Sequence, residues 1–239
     1  MLKEERQRRI LELVDAEGRA VATALSERLG VSGYTVRRDL DELAEAGRLT
    51  RVHGGALSKT PTTYEERQIH AVAGKIATAQ AAARMLQPGQ TLILDGGSTA
   101  LLLAEHIRGA TVITHSPPTA GALAPHNEVI LIGGTLDPRA MVATGAATIS
   151  AYREISADIL FLGVWALDAK HGLSGGYREE SEVRRAMLQQ AQTVVGLADA
   201  TKLGTVAPFR YAAATALTHL ATDGEDTKPY EELGIEILG

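Results

Sequence analysis

The sequence contains no cysteine in 239 residues. That absence excludes disulfide scaffolds, thiolate metal sites and cysteine nucleophiles, and it leaves no sign of an oxidising compartment. Long apolar runs are missing too. The alanine-rich stretch at residues 76–86 is interrupted by Thr78, Gln80 and Arg84, and it falls short of the ~18–20 residues that span a bilayer. The opening segment MLKEERQRRILELV is charged through its first nine residues with no long apolar run behind them, so no secretory signal is expected and the chain reads as cytoplasmic, without membrane contact. An excess of positive charge is likewise absent, the formal net charge being −5. None of the seven histidines stands at metal-ligand spacing, so neither a metal nor a cofactor is expected.

What is present is the composition of a folded protein: 45% hydrophobic residues and 22% charged residues of mixed sign are too apolar and too balanced for a disordered chain. The length suits two domains of ordinary size. Charge is divided unevenly between them. Residues 1–59 carry eleven Lys/Arg against ten Asp/Glu, and the remaining residues carry thirteen against nineteen. Only the first part suits a polyanion, and there the placement of basic side chains matters more than their number.

In residues 5–14, Ile10, Leu11, Leu13 and Val14 share one helical face, and the pattern stops near Gly18. A second helix is expected over residues 22–29, burying Leu25 and Leu29 and leaving at Gly30, a residue type suited to the left-handed backbone of a helix exit. Ser32 is placed to cap a third helix over residues 33–46, which buries Val36, Leu40 and Leu43 and ends at Gly47. Two helices joined by a turn of about three or four residues containing glycine make a helix-turn-helix. Its recognition helix presents Tyr34, Thr35, Arg37 and Arg38 to base edges and phosphates. Residues 48–56, RLTRVHGGA, alternate like a short strand and close in a glycine turn, the pattern of a wing. Spacing alone leaves an alternative open, because short amphipathic helices ending in glycine occur in many small domains. The stretch from ERQRRILELV to RVHGGAL, with its SxxTxRRDLxxL core, resembles over its full length the DNA-binding module of the DeoR/GlpR-type regulators. The resemblance implies DNA contacts from Ser32, Thr35, Arg37 and Arg38 in the recognition helix and from Arg51 and His53 in the wing. Tyr34 departs from the acidic or polar residue usual at its position.

Residues 58–63, SKTPTT, read as a polar linker broken by Pro61, dividing a winged helix-turn-helix at residues 1–57 from a second domain at residues 64–239. In the second domain one long helix is expected over residues 65–86, with further helices over 100–107 and 179–191. They alternate with strand-like runs at 91–94, 111–114, 128–132, 159–162, 193–198, 219–222 and 235–238. Such alternation predicts βαβ units and a parallel sheet, an α/β domain. Ligands of parallel sheets bind beyond the carboxyl ends of the strands. Here those ends deliver Asp95, Gly96, Gly97, Ser98 and Thr99, then Thr114, His115 and Ser116, and later Asp199 to Lys202. The first group offers backbone N–H groups, two hydroxyls and a helix start to an anion, and Lys202 adds a point charge suited to phosphate. Taken singly each has an ordinary reading: Asp95 as a turn cap, His115 as a structurally satisfied histidine, Lys202 as a solvated lysine.

The series LDGGSTA, VITHS, LIGG, GLSGGYREESEVRRAML and LADATKLG is similar to the sensor domain of the same regulators, whose fold is related to ribose-5-phosphate isomerase and the CoA transferases. The resemblance implies an effector site for a small phosphorylated sugar or related metabolite, formed by Asp95, Gly96, Gly97, Ser98, Thr99, His115, Ser116, Glu180, Arg184 and Lys202. His115 stands where the family usually has asparagine, and Arg184 where it usually has lysine, which implies retained phosphate capacity with an altered sugar preference. The function expected is transcription regulation, as a repressor of a carbohydrate or related catabolic operon. Its partner is double-stranded operator DNA, bound as a homodimer or homotetramer because helix-turn-helix proteins read symmetric half-sites. The alternative is an isomerase-like or CoA transferase-like enzyme with an accessory N-terminal domain, using Asp95, Glu179, Glu180 or Glu182 as a base. The helix dipole is reason enough for three glutamates at one helix start, so no catalytic residue is expected.

Overall fold

Three helices and a small antiparallel sheet make the N-terminal module in a computed structural model, which describes residues 1–52, 54–58, 64–69 and 71–239, with the backbone only at Ala16, Glu17, Glu65 and Glu66. Helix α1 (Lys3–Glu17) is followed by β1 (Arg19–Val21), α2 (Ala22–Leu29), α3 (Gly33–Glu45) and the wing strands β2 (Leu49–Val52) and β3 (Gly55–Ser58), ordered β1-β3-β2. Helix α2 ends at Gly30 with φ 63°, and Ser32 caps α3 by accepting Thr35 N–H at 3.1 Å. Ile10, Val14, Leu25, Val36, Leu40 and Leu49 are buried in one core, each contributing on the order of 1.5–3 kcal/mol. Strand β1 is the one element of this module that the sequence pattern did not reveal. Three residues between two helices are too few to show a period of two. Of the expected linker only Ser58 falls among the described residues, and it belongs to the module instead: it closes β3 opposite Leu49, with its N–H on the Gly18 carbonyl at 2.8 Å, because strand pairing runs on into the polar stretch.

The expected long helix over residues 65–86 is instead two, α4 (Tyr64–Ile69) and α5 (Val72–Ala83), with Ala71 at φ 49° between them. An L-residue at positive φ cannot continue a right-handed helix, and apolar periodicity is blind to a break of one or two residues. Beyond it, β4 (Thr91–Leu94), α6 (Ser98–Ala104), β5 (Thr111–Thr114), α7 (Pro117–Leu123) and β6 (Glu128–Leu131) run as βαβ units. The hairpin β7 (Thr135–Asp137) and β8 (Val142–Thr144) and helix α8 (Ala146–Arg153) lead into β9 (Ala157–Gly163). Then come β10 (Ala166–Asp168), β11 (Gly172–Gly175), α9 (Arg178–Met187), β12 (Ala191–Leu197), β13 (Phe209–Ala212), β14 (His219–Ala221), α10 (Lys228–Glu231) and β15 (Glu236–Leu238).

Seven of these strands form a parallel sheet ordered β15-β14-β12-β9-β4-β5-β6. Its central strands β5, β4, β9 and β12 are buried on both faces, which is why they read as apolar runs, whereas the edge strand β6 leaves Ile130 and Leu131 exposed. Leu92, Leu94, Phe161 and Val195 pack under α5 and α6, while Ile93, Leu160, Leu162 and Val194 pack against Tyr152 of α8 and Val183 and Met187 of α9. Among the described residues no helix is long and apolar enough to cross a membrane.

Candidate functional site

The parallel sheet grows from β4 in two directions, through β5 and β6 on one side and through β9, β12, β14 and β15 on the other. A crevice opens where the winding reverses, beyond the carboxyl ends of the strands. A cavity of about 90 Å³ lies there. Gly96, Gly97, Ser98 and Thr99 wall it after β4, Gly163 at the end of β9 with Val164 and Trp165 beyond it, and Asp199, Thr201 and Lys202 after β12. Glu180 and Arg184 reach it from α9, Arg67 from α4, Lys75 from α5 and Arg19 from β1. Gly97 turns the chain into α6 at φ 114°, a conformation glycine adopts without penalty. The lining sets five cations (Arg19, Arg67, Lys75, Arg184 and Lys202) against two carboxylates (Glu180 and Asp199).

Seven of the ten residues singled out in sequence for effector binding line this cavity: Gly96, Gly97, Ser98, Thr99, Glu180, Arg184 and Lys202. Asp95, His115 and Ser116 do not; they are buried behind its wall. Asp95 accepts Gly96 N–H at 2.7 Å, Gly163 N–H at 3.0 Å and Arg184 Nε at 2.9 Å, so it ties the ends of β4 and β9 together and aims Arg184. Arg184 also meets Glu180 Oε2 at 3.2 Å. His115 Nδ1 lies 2.8 Å from Tyr152 Oη, and its Nε2 is 3.6 Å from Asp95 Oδ1. Burial lowers its pKa to about 4 against the pull of Asp95, with Arg184 adding to the lowering, so the ring is neutral at neutral pH. The ligand contact expected of His115 gives way to a place in the supporting network, because a loop's position in sequence does not reveal which way its side chains turn. Ser116 Oγ accepts from Thr119 Oγ1 at 3.0 Å, again away from the cavity.

Lys202 is half-buried, with Nζ 3.9 Å from Asp199 Oδ2. Burial and then the positive charge of Arg19 push its pKa down to about 7, against the attraction of Asp199. Burial raises the pKa of Glu180, opposed by Arg184 and Arg67. Glu180 Oε1, Asp199 Oδ2 and Trp165 Nε1 are buried polar atoms of cavity-lining residues with no hydrogen-bond partner among the described residues. Among the described residues no three His, Asp or Glu side chains are grouped to hold a metal ion.

Sequence reasoning missed Arg19, Arg67, Lys75 and Trp165. One of them carried a signal: Lys75 is a lone charge in the alanine-rich segment VAGKIATAQAAA and is 5% exposed. Its Nζ donates to the Arg67 carbonyl across the α4–α5 break, and the Arg67 guanidinium lies 6.0 Å from the centre of the Trp165 ring.

On the N-terminal module, Tyr34 is 76% exposed and Arg37 and Arg38 are exposed beside it at the start of α3. Arg38 lies 3.3 Å from Glu42. Ser32 and Thr35 share a hydroxyl–hydroxyl bond of 2.8 Å within the helix cap. Arg51 pairs with Asp41 at 2.7 Å and donates to the carbonyls of Val52 and Gly55, so it clamps the wing to α3. His53 lies outside the described residues. Helix α3 is oriented in turn by Arg6, which grips the buried Asp39 with two hydrogen bonds.

Comparison with known proteins covers both parts of the chain. The family model of the DeoR-like helix-turn-helix domain matches residues 6–62, and that of the DeoR C-terminal sensor domain matches residues 70–224. The chain is 37% identical to the HTH-type transcriptional regulator GlpR of Haloferax volcanii, over 100% of this chain and 98% of that protein. It is 30% identical to the HTH-type transcriptional repressor GlcR of Bacillus subtilis, over 100% of this chain and 96% of that protein. Among solved structures it is similar to ribose 5-phosphate isomerase A of Methanocaldococcus jannaschii, with 18% identity and a TM-score of 0.40 over 54% of this chain and 53% of that one.

Proposed function

The chain belongs to the DeoR family of DNA-binding transcription regulators, and from that premise we propose that it represses a carbohydrate or related catabolic operon under the control of a small polyhydroxy phosphate held in the cavity. It is a regulator and not an enzyme, as are the relatives it matches along its whole length. One of those relatives is named a repressor.

The observation that carries the reading of the effector is the composition of the cavity, five cations against two carboxylates. A buried excess of positive charge is tolerable where an anion neutralises it. The orphaned atoms of Glu180, Asp199 and Trp165 add the second half of the ligand. A sugar or polyol brings hydroxyls that both donate and accept, whereas a bare anion would leave those groups unpaired at a cost of about 1–3 kcal/mol each. In this reading Gly96, Gly97, Ser98, Thr99, Arg184 and Lys202 hold the phosphate end and Glu180 a hydroxyl, while Asp95, His115 and Ser116 set the wall from behind. Tyr34, Arg37 and Arg38 at the start of α3, with Ser32 and Thr35, meet operator DNA, together with Arg51 and His53 of the wing. Two symmetric half-sites call for a homodimer or homotetramer.

Trp165 is the single tryptophan of the chain and lines the cavity, so its emission reads occupancy directly. Titration with a panel of phosphorylated sugars and polyols should give a saturable change that their unphosphorylated counterparts do not. The same compound should alter the gel shift of DNA from upstream of the protein's own gene. No response to any phosphorylated compound, or an equal response to the free sugars, refutes the reading.

A further inference from the structure

The DNA-binding module and the sensor domain meet at the cavity, and one guanidinium belongs to both. Arg19, the first residue of β1, is 5% exposed and lines the cavity. Its Nη2 donates to the Thr201 carbonyl at 3.0 Å, and its Nη1 to Thr205 Oγ1 at 3.3 Å and to the Trp165 carbonyl. All three acceptors sit on the sensor loops that come after β9 and β12, and Trp165 and Thr201 also wall the cavity. Nearby, Gly54 of the wing turn has φ 79°, and a Cβ there would stand 2.7 Å from the Gly204 carbonyl oxygen of the same loop. Strand β1 pairs with β3, Arg19 opposite Leu57 and Val21 opposite Gly55. A shift of Arg19 is therefore also a shift of the wing.

The geometry points to Arg19 as a direct ligand of the effector's anionic group, so that the effector site is built jointly by the sensor domain and the DNA-binding module. This rests on the anion reading of the cavity. An anion in the cavity competes with the neutral Trp165 and Thr201 carbonyls for one guanidinium, and a charge-assisted bond is the stronger of the two. The anion thus rewrites the bonds that dock β1 and the wing onto the sensor loops. A ligand shifts an equilibrium only through contacts that differ between the two states. Here the differing contact is made inside the DNA-binding module itself, and no relay through the sheet is needed. Reciprocity then requires DNA to change the affinity for the anion by the factor with which the anion changes the affinity for DNA.

The probe is inorganic phosphate, titrated into the full chain and followed by Trp165 emission, with Arg19→Gln and Arg19→Lys compared against Lys202→Met on the sensor side. Arg19→Gln should lose about tenfold or more in phosphate affinity, and its DNA affinity should no longer respond to phosphate. Arg19→Lys keeps the charge without the planar fork and should lose less. Hydrogen exchange of the wild-type chain supplies a readout that stands even where a variant fails to fold: phosphate should slow exchange at residues 19–21 as well as at 96–99. Phosphate affinity within about twofold of wild type in Arg19→Gln while Lys202→Met is impaired, or protection confined to the sensor segments, overturns the role of Arg19 and leaves the anion cavity standing. Absence of phosphate binding by the wild-type chain overturns the cavity reading, and this inference with it.

Discussion

Acid should destabilise the folded chain through His115 by an amount set by its surroundings. The ring is 2% exposed. Asp95 Oδ1, 3.6 Å from Nε2, favours the tautomer with its proton on Nε2, so Nδ1 accepts from the Tyr152 hydroxyl at 2.8 Å. Desolvation outweighs the carboxylate's attraction and lowers the pKa from 6.5 to about 4. Above pH 6.5 neither the folded nor the unfolded chain protonates this ring, and its contribution is flat. Below pH 6.5 the unfolded chain takes up a proton that the folded chain refuses, so stability falls by up to ~1.4 kcal/mol per pH unit. Below about pH 4 both states are protonated and the loss levels off near ~3 kcal/mol. Chemical unfolding of the wild type and of His115→Asn between pH 7.5 and pH 4.5 isolates the effect, because the other titrating groups are common to both proteins. The stability difference should move against the wild type by about 2–3 kcal/mol across that range. Parallel curves for the two proteins would show that the ring is protonated in the folded state and would refute the reasoning.

Arg184→Leu should leave the Asp95 carboxylate buried with its two backbone donors and cost about 3–5 kcal/mol. The thermal midpoint should drop by roughly 6 °C or more, and a drop of less than about 2 °C would show that Asp95 does not need the guanidinium. For Lys202, with a pKa of about 7 in the free protein, binding an anion above that pH requires uptake of a proton. Phosphate affinity should therefore fall as pH rises from 7.5 to 9, by up to ~10-fold per unit, and calorimetry in buffers of different ionisation enthalpy should register the proton. An equal decline in Lys202→Met would place the titration elsewhere. Arg37→Ala should weaken binding to all DNA sequences about equally and reduce the slope of log affinity against log salt by ~1; an unchanged slope removes Arg37 from the phosphate contacts.

The seven parallel strands and the helices α2, α3 and α9 were legible because each carries its own local pattern: a run such as TLIL buried on both faces, or a capping serine succeeded by Val36, Leu40 and Leu43 on one stripe. The strands β1, β7, β8, β10, β11 and β13 have three or four residues each, too short for a period to show, and none lies in the βαβ alternation of apolar runs and helical stretches that marked equally short strands of the parallel sheet. The break at Ala71 comes from one backbone angle that no composition marks. For the cavity, the glycine turn after β4 and Lys202 after β12 stand at the carboxyl ends of apolar runs, where a parallel sheet places its ligand loops. Arg19 has no such marker, since its carbonyl partners Trp165 and Thr201 lie 146 and 182 residues further along the chain. Only the folded chain brings them to one place, and only the folded chain shows Asp95 and His115 turned away from it.

An acidic chain with a cationic cavity presents an electrostatic problem whose solution couples its two domains. Arg19 belongs to the DNA-binding module and Lys202 to the sensor domain, and the positive charge of Arg19 is among the causes that depress the pKa of Lys202. Across this part of the domain boundary the two cations therefore repel, and the hydrogen bonds from Arg19 to Thr201 and Trp165 work against that repulsion. An anion between them reverses the sign of the interaction: each cation is then drawn to the anion, and Lys202 recovers its proton. The loop from Asp199 to Thr205 carries Lys202, accepts from Arg19 and abuts the wing turn at Gly54. In the proposed arrangement a change of one charge in the cavity reaches the wing through this one loop. The same geometry would set the specificity of the proposed switch. A neutral sugar brings no charge to relieve the repulsion and gains no charge-assisted bond from the five cations, so it binds far more weakly than its phosphate and leaves the arrangement of the DNA-binding module unchanged.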